Sequence, residues 1–271
     1  MDCVIVVLID THVHLDKYDD SDITPIMHRA SDVGVGFVIS AGTTIKSTER
    51  SINLSLNYPN CFSGVGVHPM DLKSPLGDSD YETLRDLALS SDKVLVMSEI
   101  GLDFVDNMPD KSWQYSAFRE QISLARLLDL PIVFHSRRSQ QECFRVLREE
   151  RAYQVGGIMH YFQGSQYDAE TAIDLGFFIS IARPILRLDS LRGVVKKLPL
   201  DKIVVETDSF PQPFKKNRMN WTEPRHLREI VQEVSLLHSR EIDEVEQIIF
   251  KNTRKALAPK WDNVVKYIPG V

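Results

Sequence analysis

The stretch Val4-Ile5-Val6-Val7-Leu8-Ile9-Asp10-Thr11-His12-Val13-His14 carries an apolar run straight into two histidines spaced i and i+2. A run of this kind reads as a buried strand. Alternate strand residues share a face, so both imidazoles can reach one point. Neutral imidazole is a ligand for zinc and other transition metals. A single His-x-His triplet arises easily by chance, so a metal site requires further ligands at equivalent places along the chain.

Eight short apolar runs recur: Val4–Ile9, Gly36–Ser40, Cys61–Val67, Val94–Ser98, Pro131–Phe134, Gly156–Met159, Phe177–Ile181 and Ile203–Val205. Most are continuous rather than alternating, as in parallel strands covered on both faces. Helical stripes lie between them. Phe118, Ile122, Ala125 and Leu128 keep one face, as do Leu227, Ile230, Val231 and Val234 in a helix opening near Pro224. Eight alternating strands and helices predict a (β/α)8 TIM barrel in a single domain over 1–259. Residues 260–271 are expected to be a C-terminal tail, packed outside or partly disordered.

Composition narrows the class. At 271 residues, 43% hydrophobic and 26% charged, the chain is an ordinary globular one. No apolar run approaches the roughly 20 residues of a membrane span, and the first run lacks the flanks of a signal peptide. Cys3, Cys61 and Cys143 are few, odd in number and far apart, so reduced thiols and a cytoplasmic location are expected. A net charge of −6 argues against a protein that coats long duplex nucleic acid, while leaving room for a local basic mouth. No long apolar seam demands another subunit, so a monomer without an obligate protein partner is expected.

In a TIM barrel, chemistry lies at the carboxyl ends of the strands. Reading those ends gives His12 and His14 from the first strand, Glu99 from the fourth, His135 from the fifth, His160 from the sixth and Asp208 from the eighth. Each alone has a dull explanation. Together they form a costly cluster unless something uses it. Six ligand-type side chains exceed one tetrahedral metal and suit two divalent ions about 3.5–4 Å apart. His12, His14 and Asp208 are assigned to one, His135 and His160 to the other, with Glu99 bridging. Mixed nitrogen and oxygen donors favour Zn, Mn, Ni or Co, with Mg as an activating ion. Asp208 is placed to take a proton from water and return it to the leaving group. Neither a Gly-x-Ser-x-Gly elbow nor a phosphate-cradling glycine loop is present.

From Asp10 to about Ala258 the sequence resembles the TatD family of metal-dependent deoxyribonucleases, a branch of the amidohydrolase-like barrels. The resemblance rests on Asp10–Asp16, Gly66-Val67-His68-Pro69, Ser98-Glu99-Ile100-Gly101-Leu102-Asp103-Phe104, His135-Ser136-Arg137, His160-Tyr161-Phe162-Gln163-Gly164 and Glu206-Thr207-Asp208-Ser209. It implies a TIM barrel, hydrolysis of DNA phosphodiester bonds, and the same six metal ligands. It also places His68 and Arg137 near the substrate phosphate. His68 reads equally as a capping or orienting residue, and Arg137 as a surface ion pair. Four motifs depart from the family pattern. Met70 stands where a second histidine is usual, Ser98 where glycine is usual, Phe210 intervenes before Pro211, and Thr222 replaces asparagine before Glu223-Pro224. The ligands survive; the substrate rim is altered.

Three functions therefore compete. The first is a DNA phosphodiesterase whose Lys215, Lys216 and Arg218 line the mouth, against the common reading of such a run as a solvated loop. The second is a hydrolase of a small amide, lactone or phosphoester on the same centre. No lysine stands at a strand end to be carboxylated, and Glu99 fills the bridging place, which favours the nuclease branch. The third is a scaffold that keeps metal for stability, disfavoured because no ligand is missing.

Overall fold

Eight parallel strands pair in chain order: β1 (Leu8–Val13), β2 (Val35–Ser40), β3 (Cys61–Val65), β4 (Val94–Asp103), β5 (Ile132–Arg137), β6 (Gly157–Met159), β7 (Phe177–Ile181) and β8 (Ile203–Val205). The computed structural model describes residues 6–271. The ring closes where Val13 bridges Ser209 in parallel. There the Asp208 N–H donates to His12 O at 3.0 Å and the His14 N–H to Ser209 O at 2.9 Å. The fold is a (β/α)8 barrel.

Ten α-helices wrap the described chain: α1 (Asp20–Ser31), α2 (Ile45–Asn57), α3 (Asp78–Leu89), α4 (Lys111–Leu127), α5 (Gln140–Glu149), α6 (Gln166–Asp174), α7 (Asp189–Val195), α8 (Leu227–His238), α9 (Ile242–Ala256) and α10 (Trp261–Tyr267). The stripes read from the sequence face inward. Phe118, Ile122 and Ala125 of α4 are buried, as are Leu227, Ile230, Val231 and Val234 of α8. Thr44 starts α2 by accepting the Ser47 N–H, which meets a donor the helix leaves open. No helix among the described residues is long and apolar enough to cross a membrane. Cys61 and Cys143 are free and buried; Cys3 lies outside the described residues.

Several strand boundaries differ from expectation: the third strand ends at Val65 and not Val67, the fifth runs past Phe134 to Arg137, and the largest differences are in the first and fourth. The first strand begins at Leu8, not Val4, and runs through His12 to Val13; Val4 and Ile5 lie outside the described residues. The fourth continues past Ser98 to Asp103. Backbone ladders tolerate polar residues that an apolar run does not, provided the side chains find partners.

Two cores result. The larger lies between strands and helices. The smaller fills the barrel interior with Ile9, Phe37, Phe62, Leu95, Val133 and Ile158. Its outer end is met by Trp261 and Val264 of α10, so the segment 260–271, expected to pack outside or be partly disordered, contributes a helix that plugs the barrel floor. Lys93 completes this end. Its buried Nζ donates to the carbonyls of Ser55, Tyr58, Pro59 and Cys61 at 2.5–3.4 Å and lies 4.9 Å from the Tyr267 ring centroid. Lys93→Met would strand those carbonyls. A loss of about 3 kcal/mol and a Tm roughly 5–10 °C lower are expected in thermal denaturation. An unchanged Tm would show that the cage contributes nothing.

Candidate metal centre

The wide end of the barrel gathers the histidines and Glu99. The register of β1 against β2 shifts between Asp10 and Val13. Ile9 belongs to the inner core and Val13 to the outer, so the shift exchanges which alternate residues point inward. His12 and His14 consequently face the interior. Glu99 is anchored by its N–H, which donates to Gly42 O at 2.5 Å.

Glu99 is the hub. Its Oε2 lies 3.3 Å from His12 Nε2 and 3.8 Å from His14 Nε2. Its Oε1 lies 3.3 Å from His68 Nε2, 3.1 Å from His135 Nδ1 and 3.4 Å from His160 Nε2. Asp208 Oδ1 stands 3.2 Å from His14 Nε2. The four expected histidines therefore divide between the two oxygens of Glu99, and Asp208 joins them through His14. His68 joins them. Its Nδ1 caps a short 3-10 turn by accepting the Met70 N–H at 3.1 Å, which leaves Nε2 turned to Glu99.

The chemistry of this pit fits divalent cations. His12 is 1% exposed, yet neither ring nitrogen has a hydrogen-bond partner, and His14 Nδ1 is similarly alone. Buried polar atoms of this kind are rare unless something absent satisfies them. Donor atoms of His12, His14 and Glu99 lie within 4.8 Å of one another, as do those of His68, Glu99 and His135. Burial drives the Glu99 carboxyl up, but His68, His160 and His12 outweigh it and hold it well below the usual range. Burial opposes a proton on His160, but Glu206 and Glu99 prevail and push it up to about 10. Burial also raises Asp208, less than the His14 hydrogen bond and the nearby imidazoles lower it. Protonated imidazole thus answers the negative charge where a divalent cation would serve.

Three acidic residues that the strand-end reading passed over hold the histidines and the seam. Asp103 Oδ2 receives His135 Nε2 at 2.9 Å and Arg137 Nε at 2.8 Å. Glu206 Oε1 lies 2.9 Å from His160 Nδ1, off hydrogen-bond alignment. Glu206 is itself fixed by the Tyr161 N–H at 2.7 Å and the Ser180 hydroxyl at 2.6 Å. Asp10 accepts from the Thr207 N–H and hydroxyl at 2.9 and 2.5 Å, bracing β1 against the end of β8. Asp103 closes β4 and Glu206 directly follows β8, so true strand ends would have revealed both. Carboxylate partners orient ligating imidazoles and are worth about 10–100-fold in metal affinity. Asp103→Asn should weaken binding of Mn or Zn by that factor in a titration with a competing chelator. Full affinity in the variant would reduce Asp103 to an anchor for Arg137.

The pit opens into a cavity of about 670 Å³ whose lining includes Lys17, Met70, Arg137, Arg138, Tyr161 and Phe210. Arg137 is held by Asp103, yet its side chain stays 47% exposed on that rim. The basic run after β8 is arranged differently from the expected mouth. Arg218 pairs with Asp22 at 2.7 Å, and Lys215 Nζ donates to Asn220 O at 2.9 Å.

Comparison with known proteins agrees with this geometry. The sequence profile described as TatD related DNase matches residues 9–258. An uncharacterized metal-dependent hydrolase, YabD of Bacillus subtilis, is 29% identical over 254 residues, covering 92% of this chain and 98% of that protein. A 3'-5' ssDNA/RNA exonuclease, TatD of Erwinia tasmaniensis, is 30% identical over 240 residues, 85% of this chain and 91% of that one. The crystal structure of YjjV, a TatD homologue from Escherichia coli, superposes with a TM-score of 0.84 at 29% identity, covering 95% of this chain and 99% of that chain.

Proposed function

Since the chain belongs to the TatD-related DNase family, we propose that it is a two-metal deoxyribonuclease that hydrolyses DNA phosphodiester bonds by attack of water on phosphorus. At the coarser level it is a metal-dependent hydrolase. The observation that carries the finer reading is the single Glu99 carboxylate with imidazoles ranged along both oxygens, beneath a rim bearing Lys17, Arg137 and Arg138.

His12, His14 and Asp208 would hold one cation and His135 and His160 the other, with Glu99 shared and His68 against its Oε1. When bound, such cations supply Lewis acidity toward a phosphate oxygen and bring the pKa of water toward neutrality. Asp208 has a side chain 19% exposed, more than Glu99 at 4%, and faces the cavity. Its carboxylate accepts the proton of the attacking water and delivers it to the departing oxygen as the P–O bond breaks. The rim cations bind flanking phosphates, Arg138 and Arg137 by their guanidinium forks. The exonuclease name of the Erwinia relative supports action on unpaired strands.

The test is cleavage of labelled single-stranded and duplex DNA and of RNA by purified protein stripped of metal and reloaded with Mn, Mg or Zn. Metal-dependent strand cleavage is expected. Intact nucleic acid alongside turnover of a lactone or dihydroorotate panel would hand the site to the small-molecule reading.

A further inference from the structure

Residues 209–223, between Asp208 and the short turn before α8, leave the barrel as a long loop. Its polar groups are met largely from within. The Gln212 side chain brackets Thr222, accepting its N–H at 3.1 Å and donating to its hydroxyl at 3.2 Å. The Lys215 N–H donates to Gln212 O at 2.8 Å, and Arg225 donates to Met219 O at 2.7 Å. Arg218 is tied to Asp22 of α1. The loop is thus pinned, and Trp221 packs toward Tyr18, yet three of its large apolar side chains stay in water. Phe210 is 36% exposed, Phe214 75% and Met219 51%. Single exposed apolar residues are ordinary. These three follow Asp208 on one loop, and Lys215 and an exposed Lys216 stand among them. Phe210 also lines the cavity that holds Glu99 and Asp208.

Aromatic faces beside cations accept stacked bases while the cations meet the phosphates between them. Bases in a duplex already stack on one another, so only an unpaired strand offers its faces to the protein. Building on the nuclease reading of the pit, we infer that this loop is a stacking track for single-stranded nucleic acid beyond the scissile bond. Phe210 takes the base nearest Asp208, Phe214 the next one out, and Lys216 a phosphate on the way.

The test is fluorescence anisotropy of a labelled phosphorothioate oligothymidylate on metal-loaded protein. Phe210→Ala, Phe214→Ala and Phe214→Trp are compared with wild type, and a Tm check shows each variant is folded. Each alanine is expected to weaken binding about 10-fold, in the range of one lost base stack, and tryptophan to restore it. Lys216→Ala should reduce the slope of log affinity against log salt by about 0.7, the single-strand value for one phosphate. With cleavable strands the loss should fall on KM more than kcat, and the Phe214→Ala loss alone should vanish for a dinucleotide too short to reach Phe214. Equal affinity of wild type and both alanine variants would overturn the track. Loop-dependent binding without any cleavage would keep it and sink the nuclease assignment instead.

Discussion

Glu99→Gln is expected to remove at least a thousandfold of kcat/KM and most of the bound metal. The change keeps shape and deletes a charge. Each Glu99 oxygen faces imidazole nitrogens at 3.1–3.8 Å, so an amide there turns a donor toward nitrogens that need an anion or a cation between them. A shared carboxylate would also offset part of the charge of both bound dications, and electrostatic terms of this kind are worth roughly 4 kcal/mol or more, about three powers of ten in rate. Metal per chain by elemental analysis and steady-state cleavage should fall together. A variant with full metal and near-normal rate would remove Glu99 from the centre of the chemistry.

Gly101→Ala is expected to do comparable damage through the backbone. Gly101 pairs with His135 across β4 and β5. Its φ is +146°, and an added Cβ would sit 2.0 Å from His135 O and 2.9 Å from His135 C and N. No side chain can rotate away from that contact, so β5 must shift and take His135 with it. Strain and ladder loss together are estimated at about 4 kcal/mol, a Tm lower by roughly 10 °C. Added Mn or Zn should raise the variant's Tm less than the wild type's. Gly34 is the control, with φ +89° and open space around a Cβ; alanine there should lower stability by only about 1 kcal/mol. Equal losses at both sites would mean that conformation, not the approach to His135, is what Gly101 provides.

Much of the barrel was legible because parallel strands are buried on both faces and spell out apolar runs. His135 and His160 come directly after such runs, where the first polar residue marks the mouth. The same rule hid Asp103. Ser98 looks like a strand's end, but β4 runs on to Asp103, pairing with β5 again from Ile100 after a register shift. Pairing partners were not legible at all. That Arg137 is held by Asp103, and that His68 turns to Glu99, depends on which strand lies beside which and at what stagger. The floor was missed for another reason. Trp261 and Val264 sit on a helix too short to show a periodic face, and nothing local announces that a barrel needs a stopper.

The ring is sealed by the hydrogen bonds that set His12 and His14 beside Asp208. Those partners lie nearly two hundred residues apart, so closing the seam carries a large entropic cost. Opening it would dissolve the ligand set without disturbing the remaining strand pairs. Cation capture and the circular integrity of the scaffold are therefore one equilibrium. In a metal-starved cell the protein would breathe first at its own catalytic mouth.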